Sequence, residues 1–334
     1  GDWSSDVCSS DLSGCTWDRV RLAFAFMPNP VTTRSNVTRK RPVVAVKGGG
    51  MIKIVTDTEA KLPPALMARY DIRTVPLWVY FGQESYQEGV NITRQEFYER
   101  MVRYREFPQT SRASVDRFIE LYRPLVEADH EILSIHISSG LSGVYQSAVR
   151  AAERFPGAKI SVVDSRHATT GQAMIVWRAA EWIEAGLSRQ EVVARLQPMI
   201  RHIRLFFVVD TLEYLRHGGR IGSATALLGT LLRIKPILTL KDGLIELYDR
   251  SRTRKRALAR LKELVLSSAQ GNTGVDLGVV HVQCPDDAQM LAKELSAELQ
   301  PKHLLVDLMG PGIGVHVGPG MIGAGVYCDE WADR

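Results

Sequence analysis

From Glu131 to Ile200 the chain repeats one pattern: a short apolar run, a polar turn, then a helix-like segment. Glu131–Ile137 and Ile160–Val163 read as strands. A helix follows the first from about Ser142 to Arg154, and another follows the second through about Glu184. Ser188 with Glu191 three residues on forms a capping box that opens a further helix to about Ile200. Strands followed by helices at this rhythm predict a parallel α/β sheet. The preceding stretch fits the same class. Met51–Thr56 is a strand candidate, and Pro63-Pro64 opens a short helix, since proline favours a first turn. Val75–Phe81 reads as a second extended run. Thr93 and Glu96 form a capping box ahead of Phe97, Met101 and Tyr104, and Ser114 caps a helix bearing Phe118, Leu121, Tyr122 and Leu125.

After about Ile203 the pattern changes. Arg204–Val209 is a strand, Leu212–Arg216 a short helix ending at Gly218-Gly219, and Leu227–Leu232 apolar and helical. Pro236–Leu240 and Ile245–Tyr248 flank Lys241-Asp242-Gly243, and Asp-Gly suits a type I′ hairpin turn. Thr253–Leu266 is a basic helix, Leu277–Val282 a strand, Pro285–Leu299 a helix and Leu304–Leu308 a strand. A hairpin among these strands predicts a mixed or antiparallel sheet. The expected division is an N-terminal α/β domain over 51–203 and a C-terminal one over 204–328, with a leader at 1–50 and a tail at 329–334.

The leader does not resemble the rest. Residues 2–12 resemble a translated sequencing adapter, residues 13–50 hold no period of 2 or 3.6, and Lys47-Gly48-Gly49-Gly50 reads as a translated ribosome-binding site, so the expected biological start is Met51. Residues 1–50 hold seven Lys/Arg and four Asp/Glu; without them 35 basic and 33 acidic residues remain, a net charge of +2 instead of +5. That balance gives little reason to propose a nucleic-acid partner. Cys8 and Cys15 leave with the leader; Cys284 and Cys328 have no metal-ligand spacing, which fits a reducing cytoplasm. No apolar run approaches the roughly 20 residues needed to cross a bilayer.

Gly310-Pro311-Gly312-Ile313-Gly314-Val315-His316-Val317-Gly318-Pro319-Gly320 is the most unusual stretch. Glycine allows φ > 0 or a close approach to a ligand. The run reads as a loop between two strands, either a tight hairpin with an exposed histidine or a ligand loop that places His316 for contact.

Four segments form a set: Thr56-Asp57-Thr58; Ser138-Ser139-Gly140-Leu141-Ser142-Gly143; Leu212-Glu213-Tyr214-Leu215-Arg216-His217-Gly218-Gly219-Arg220; and the glycine-histidine run. With Thr110-Ser111-Arg112-Ala113-Ser114 and Arg252-Thr253-Arg254-Lys255, in this order and spacing, they resemble the DegV family from Met51 to Tyr327. The resemblance implies a two-domain α/β fold with one long-chain fatty acid between the domains. It also implies a partner, a separate kinase that phosphorylates the bound carboxylate to an acyl phosphate. The chain would then be a lipid-binding subunit without a complete catalytic site, cytoplasmic, needing no cofactor or metal, and touching membranes at most transiently.

The residues give this physical sense. Ser138 to Ser142 lies between a strand and a helix start, where unpaired N–H groups and the helix dipole favour an anion, and the hydroxyls of Ser138 and Ser139 add donors beside Gly140. The ordinary alternative is that Ser142 caps the helix. The resemblance places Thr110, Ser111 and His316 at the carboxylate, His316 donating a hydrogen bond or carrying charge near pH 7. It places Arg252, with His316, toward the transferring phosphate or the kinase, a role that a forked permanent charge suits. Asp57, Thr58, Gly318 and Gly320 are cleft-loop candidates, and Glu213-Tyr214-Leu215 with Arg220 reads as inter-domain structure. Leu227, Leu228, Leu231 and Ile234 are tunnel-wall candidates, or ordinary core.

The chain has neither G-x-x-x-x-G-K-[S/T] nor G-x-S-x-G, which favours a binding module over a self-contained enzyme. The rival is a stand-alone hydrolase or phosphotransferase using His316 with Asp57 or a serine, which requires His316 within hydrogen-bond reach of a nucleophile. A DNA-binding regulator is disfavoured by the net charge and the lack of a helix-turn-helix signal.

Overall fold

The computed structural model describes residues 50–104, 107–227 and 234–329. The leader, the tail beyond Asp329, and Leu228 and Leu231 of the proposed tunnel wall lie outside the described residues.

Four strands, β1 (Ile52–Asp57), β2 (Arg73–Val75), β6 (Glu131–His136) and β7 (Ile160–Asp164), form an all-parallel sheet in the order β2-β1-β6-β7. β6 is buried along its whole length, as a central parallel strand covered on both faces should be. Helices α3 (Val115–Glu127) and α4 (Val144–Ala152) pack on this sheet, and α5 (Thr169–Glu184) and α6 (Arg189–His202) follow β7. Local chemistry sets the starts of these helices. Ser114 accepts from the Arg117 amide, and Ser188 with Glu191 closes the predicted capping box. Ser142 is not a cap: α4 starts at Val144 with Gly143 at the N-cap and no side-chain cap.

Val75–Phe81 is not one strand. It breaks at Pro76-Leu77, after which β3 (Trp78–Phe81) joins β4 (Glu84–Gln87) and β5 (Gln109–Ser111) in a small antiparallel sheet. Pro76 has no N–H to offer a ladder, so the chain changes sheets there. The short helix α1 (Pro64–Arg69) and α2 (Arg94–Tyr104) flank these segments.

The third sheet is mixed: β8 (Arg204–Val208), β9 (Lys235–Lys241), β10 (Leu244–Ser251), β11 (Val275–His281), β12 (His303–Leu308) and β13 (Ile322–Cys328), in the order β10-β9-β8-β13-β11-β12. Only β11 and β12 run parallel. The β9–β10 turn has φ +49° at Asp242 and +83° at Gly243, as a type I′ turn requires. Helices α7 (Glu213–Gly218), α8 (Arg254–Ala269) and α9 (Pro285–Leu299) complete this half, and a 3-10 turn covers Gly222–Leu227. The expected α/β architecture, a parallel sheet followed by a mixed one, is therefore present. α5 contacts both sheets, and residues 169–180 of it are all buried.

The glycine-histidine run is not a loop. Pro311–Val317 is a helix, α10, with Pro311 in its first turn and Gly318 (φ +74°) ending it. Its glycines serve close approach. A Cβ on Gly312 would collide with the Glu59 carboxyl, and one on Gly314 with the Tyr98 hydroxyl. Tyr98 donates to the carbonyls of Met309 (3.0 Å) or Gly310 (3.3 Å), so neighbouring polar groups hold this helix in place. Among the described residues no helix is long and apolar enough to cross a membrane.

Candidate functional site

A cavity of about 280 Å³ opens where α10, β5, the β6–α4 turn and the mixed sheet meet. The mixed sheet contributes Leu205 and Phe207, two residues apart and so on one face of β8, and Leu240 paired with Ile245 across the hairpin. Ile137, Leu141, Met309, Ile313, Val317 and Met321 extend this apolar wall. The polar wall is Thr110, Ser111, Arg112, Ser142, Thr169, Arg220 and His316.

His316 projects from α10 toward β5, where its Nε2 lies 3.3 Å from Thr110 Oγ1. Its Nδ1 is buried without a hydrogen-bond partner, against Gly218, where any Cβ would strike the imidazole. Burial first, and the charge of Arg220 second, push the His316 pKa down to about 4. The imidazole is therefore neutral at pH 7, not charged. Positive potential comes instead from Arg112, which lies against Gly143, and Arg220. Arg220 follows the left-handed Gly219 that ends α7; its guanidinium donates to the carbonyls of Leu141 (3.3 Å) and Gly218 (2.6 Å). It thus ties the β6–α4 turn to the end of α7.

The structure brings Thr110, Ser111 and His316 together at the cavity, but not the expected serines. Ser138 is buried; its hydroxyl donates to the Gly243 carbonyl (2.7 Å) and accepts from the Gly140 amide (3.2 Å). Ser139 and Gly140 are exposed, and the Ser139 amide donates to Asp164. The turn meets the cavity three residues later, through Leu141, Ser142 and Gly143. Ser138 instead holds the tip of the β9–β10 hairpin.

Asp57 and Thr58 also stand away from the cavity wall. Asp57 is fully buried and accepts from the amides of Glu59 (3.1 Å) and Ile137 (3.0 Å) and from Gln172 Nε2 (3.2 Å). Its remaining partner is His136 Nδ1 at 3.0 Å, and His136 Nε2 meets Ser134 Oγ at 2.6 Å. The connectivity is that of a hydrolytic triad, but His136 and Ser134 are fully buried too and Tyr122 closes the far side at 2.7 Å, so no substrate reaches it. His316 belongs to a different group. Thr58 donates to Glu88. Gly320 lies outside the lining, its carbonyl bound by Arg254, and Gly318 packs on Tyr214. Arg252 is exposed between β10 and α8 and is not part of the wall. Ile234 packs in the core cluster that includes Phe207 and Met309.

Arg112, Arg220 and Thr169 line the cavity but were not assigned to it from the sequence, although both arginines stand inside quoted motifs. The available signal for the arginines was their position directly after Thr110-Ser111 and Gly218-Gly219. Among the described residues no group of three His, Cys, Asp or Glu could hold a metal ion.

A family model described as uncharacterised protein, DegV family, matches residues 51–329. The chain belongs to the DegV family. Among DegV relatives, a DegV domain-containing protein of Halalkalibacterium halodurans is 36% identical over 84% of this chain and 99% of its own length. Protein DegV of Bacillus subtilis is 33% identical over 81% of this chain and 97% of its own. Similar solved structures include a fatty-acid-binding DegV family protein of Thermus thermophilus, with TM-score 0.79, 39% identity and coverage of 83% of this chain and 99% of that one. A stearic-acid-binding protein of Eubacterium ventriosum has TM-score 0.78 and 31% identity over 85% of this chain and 100% of that one.

Proposed function

We infer that this protein binds one long-chain fatty acid in the cavity and presents its carboxylate to a separate kinase for acyl-phosphate formation. The observation that carries the reading is the composition of a single cavity. Apolar side chains from β8 to β10 share the cavity with four hydroxyl-bearing residues, two guanidinium groups and a neutral histidine: Thr110, Ser111, Ser142, Thr169, Arg112, Arg220 and His316. That is the division of an amphiphile with an anionic head. The fatty-acid-binding relatives support the same assignment.

The head group needs hydrogen bonds and compensating charge. Thr110 and Ser142 offer hydroxyl donors, and Arg112 and Arg220 offer charge without depending on pH. His316 adds an imidazole N–H. Each buried methylene gives roughly 0.8 kcal/mol, so a chain of about 16 carbons supplies most of the gross affinity before association losses.

The protein acts as carrier, and phosphoryl transfer belongs to the partner. Arg252, exposed and apart from the cavity, is assigned to the kinase or the phosphate. A purified fatty acid kinase, ATP and loaded protein test this. Thr110→Val and Arg220→Met should lower fatty-acid retention, whereas Arg252→Ala should leave retention intact and lower acyl-phosphate formation. Loss of lipid in Arg252→Ala would overturn that division of roles.

A further inference from the structure

Thr169 begins α5 with φ +53°. Left-handed backbone is uncommon outside glycine, asparagine and aspartate, and a β-branched residue there is an outlier that its surroundings must hold in place. The other described non-glycine residues with positive φ are Asp71, Asp129, Arg166, Asp242, Gln283 and Gln300, and none of them is β-branched.

Three observations give this conformation a purpose. Thr169 lines the cavity and is only 3% exposed, and its hydroxyl makes no side-chain hydrogen bond among the described residues, while the hydroxyl left fully buried without a partner is that of the neighbouring Thr170. Thr170, next in sequence, packs the other way, close to Gly278 of β11. The N-cap of the 16-residue α5 is Ala168, which has no side chain to cap the first amides and which also lines the cavity. Serine, threonine, aspartate or asparagine normally fills that position and satisfies an N–H of the first turn. The positive end of a buried helix and a spare hydroxyl are thus both left at the cavity wall, and an anion answers both.

We propose that Thr169 is a ligand-contact residue whose hydroxyl donates a hydrogen bond to the carboxylate of the bound fatty acid, at the uncapped start of α5. The assignment rests on the fatty-acid reading above. It adds a contact from the opposite half of the chain to the one made by α10, so the carboxylate is held between β5–α10 and α5.

Two variants separate contact from architecture. Thr169→Val keeps the branched shape and the strain but removes the hydroxyl. Thr169→Gly removes both and relieves the left-handed strain. Affinities for palmitic acid and for hexadecanol are measured by calorimetry beside thermal melts of the lipid-free proteins. Thr169→Val should bind palmitic acid about tenfold more weakly with its Tm unchanged, and hexadecanol within about twofold of the parent. Thr169→Gly should also bind palmitic acid more weakly while melting higher. Parent-like palmitic acid binding by Thr169→Val, or an equal loss for hexadecanol, would overturn the proposal. If the parent protein itself bound no palmitic acid, the fatty-acid reading would fail first and this contact with it.

Discussion

His316 and Thr110, 206 residues apart in sequence, meet at 3.3 Å between imidazole Nε2 and hydroxyl, joining α10 to β5 at the cavity. The His316 pKa is pushed down to about 4 by burial and Arg220, so a proton NMR titration of lipid-free protein should show no His316 transition between pH 5 and 8. A bound carboxylate supplies the opposite charge, so loading with fatty acid should raise that pKa. A transition near 6.5 in lipid-free protein would contradict this.

The same shift has a stability consequence. His316 and His167 are both depressed to about 4, chiefly by burial. A depressed group contributes stability that is present above its unfolded pKa of about 6.5 and is lost as pH falls through the folded value. Urea stability of lipid-free protein should therefore fall between about pH 6.5 and 4, and His316→Gln should fall less steeply. Equal slopes would remove His316 as a contributor.

His303 has the opposite sign. Burial pulls its pKa down, but contacts with Asp276 (2.8 Å) and Glu181 (3.0 Å) outweigh that and raise it overall. Its contribution is present below the unfolded pKa and lost as pH rises through the folded one. The Trp177 ring stacks on it at 4.1 Å, so tryptophan fluorescence should change as pH rises through the folded pKa and not in His303→Gln. Arg178, bound to Asp276 at 2.6 Å and 3.0 Å, completes the cluster, and Arg178→Met should cost about 3–5 kcal/mol by removing the guanidinium from a buried carboxylate.

Gly314→Ala tests why α10 carries glycine. Its Cβ would meet the buried Tyr98 hydroxyl, an overpacking that should cost about 1–3 kcal/mol in urea unfolding. Tyr98→Phe removes the obstructing oxygen, so Gly314→Ala should cost less in that background. Strict additivity of the two changes would refute the contact.

Asp57 should act on folding and not on ligand. It accepts from four buried donors, so Asp57→Ala should destabilise by about 3 kcal/mol or more. The folded fraction should still take up fatty acid with parent-like affinity. Loss of uptake at full folding would place Asp57 in the site after all.

What was legible in the sequence was whatever local chemistry writes down. Thr93 with Glu96 and Ser188 with Glu191 both form the hydrogen-bonded capping pairs they promised, and Asp242-Gly243 makes its primed turn. The Gly310–Gly320 run is helical where a loop is expected because Gly312 and Gly314 answer to Glu59 and Tyr98, more than 200 residues away, and no local pattern records that. The β6–α4 turn is a turn as expected, but it reaches the cavity through Leu141, Ser142 and Gly143 and not through Ser138, Ser139 and Gly140. Whether Ser138 or Ser142 faces the cavity depends on the β9–β10 hairpin tip, whose Gly243 carbonyl engages Ser138. Arg220 was missed for the same reason: its place in the wall exists only once the end of α7 meets Leu141.

The most direct test is mass spectrometry of an organic extract from the purified protein beside a blank preparation. The account predicts close to one long-chain fatty acid per chain, depleted in Thr110→Val and Arg220→Met. An empty protein that also takes up no added fatty acid would contradict it.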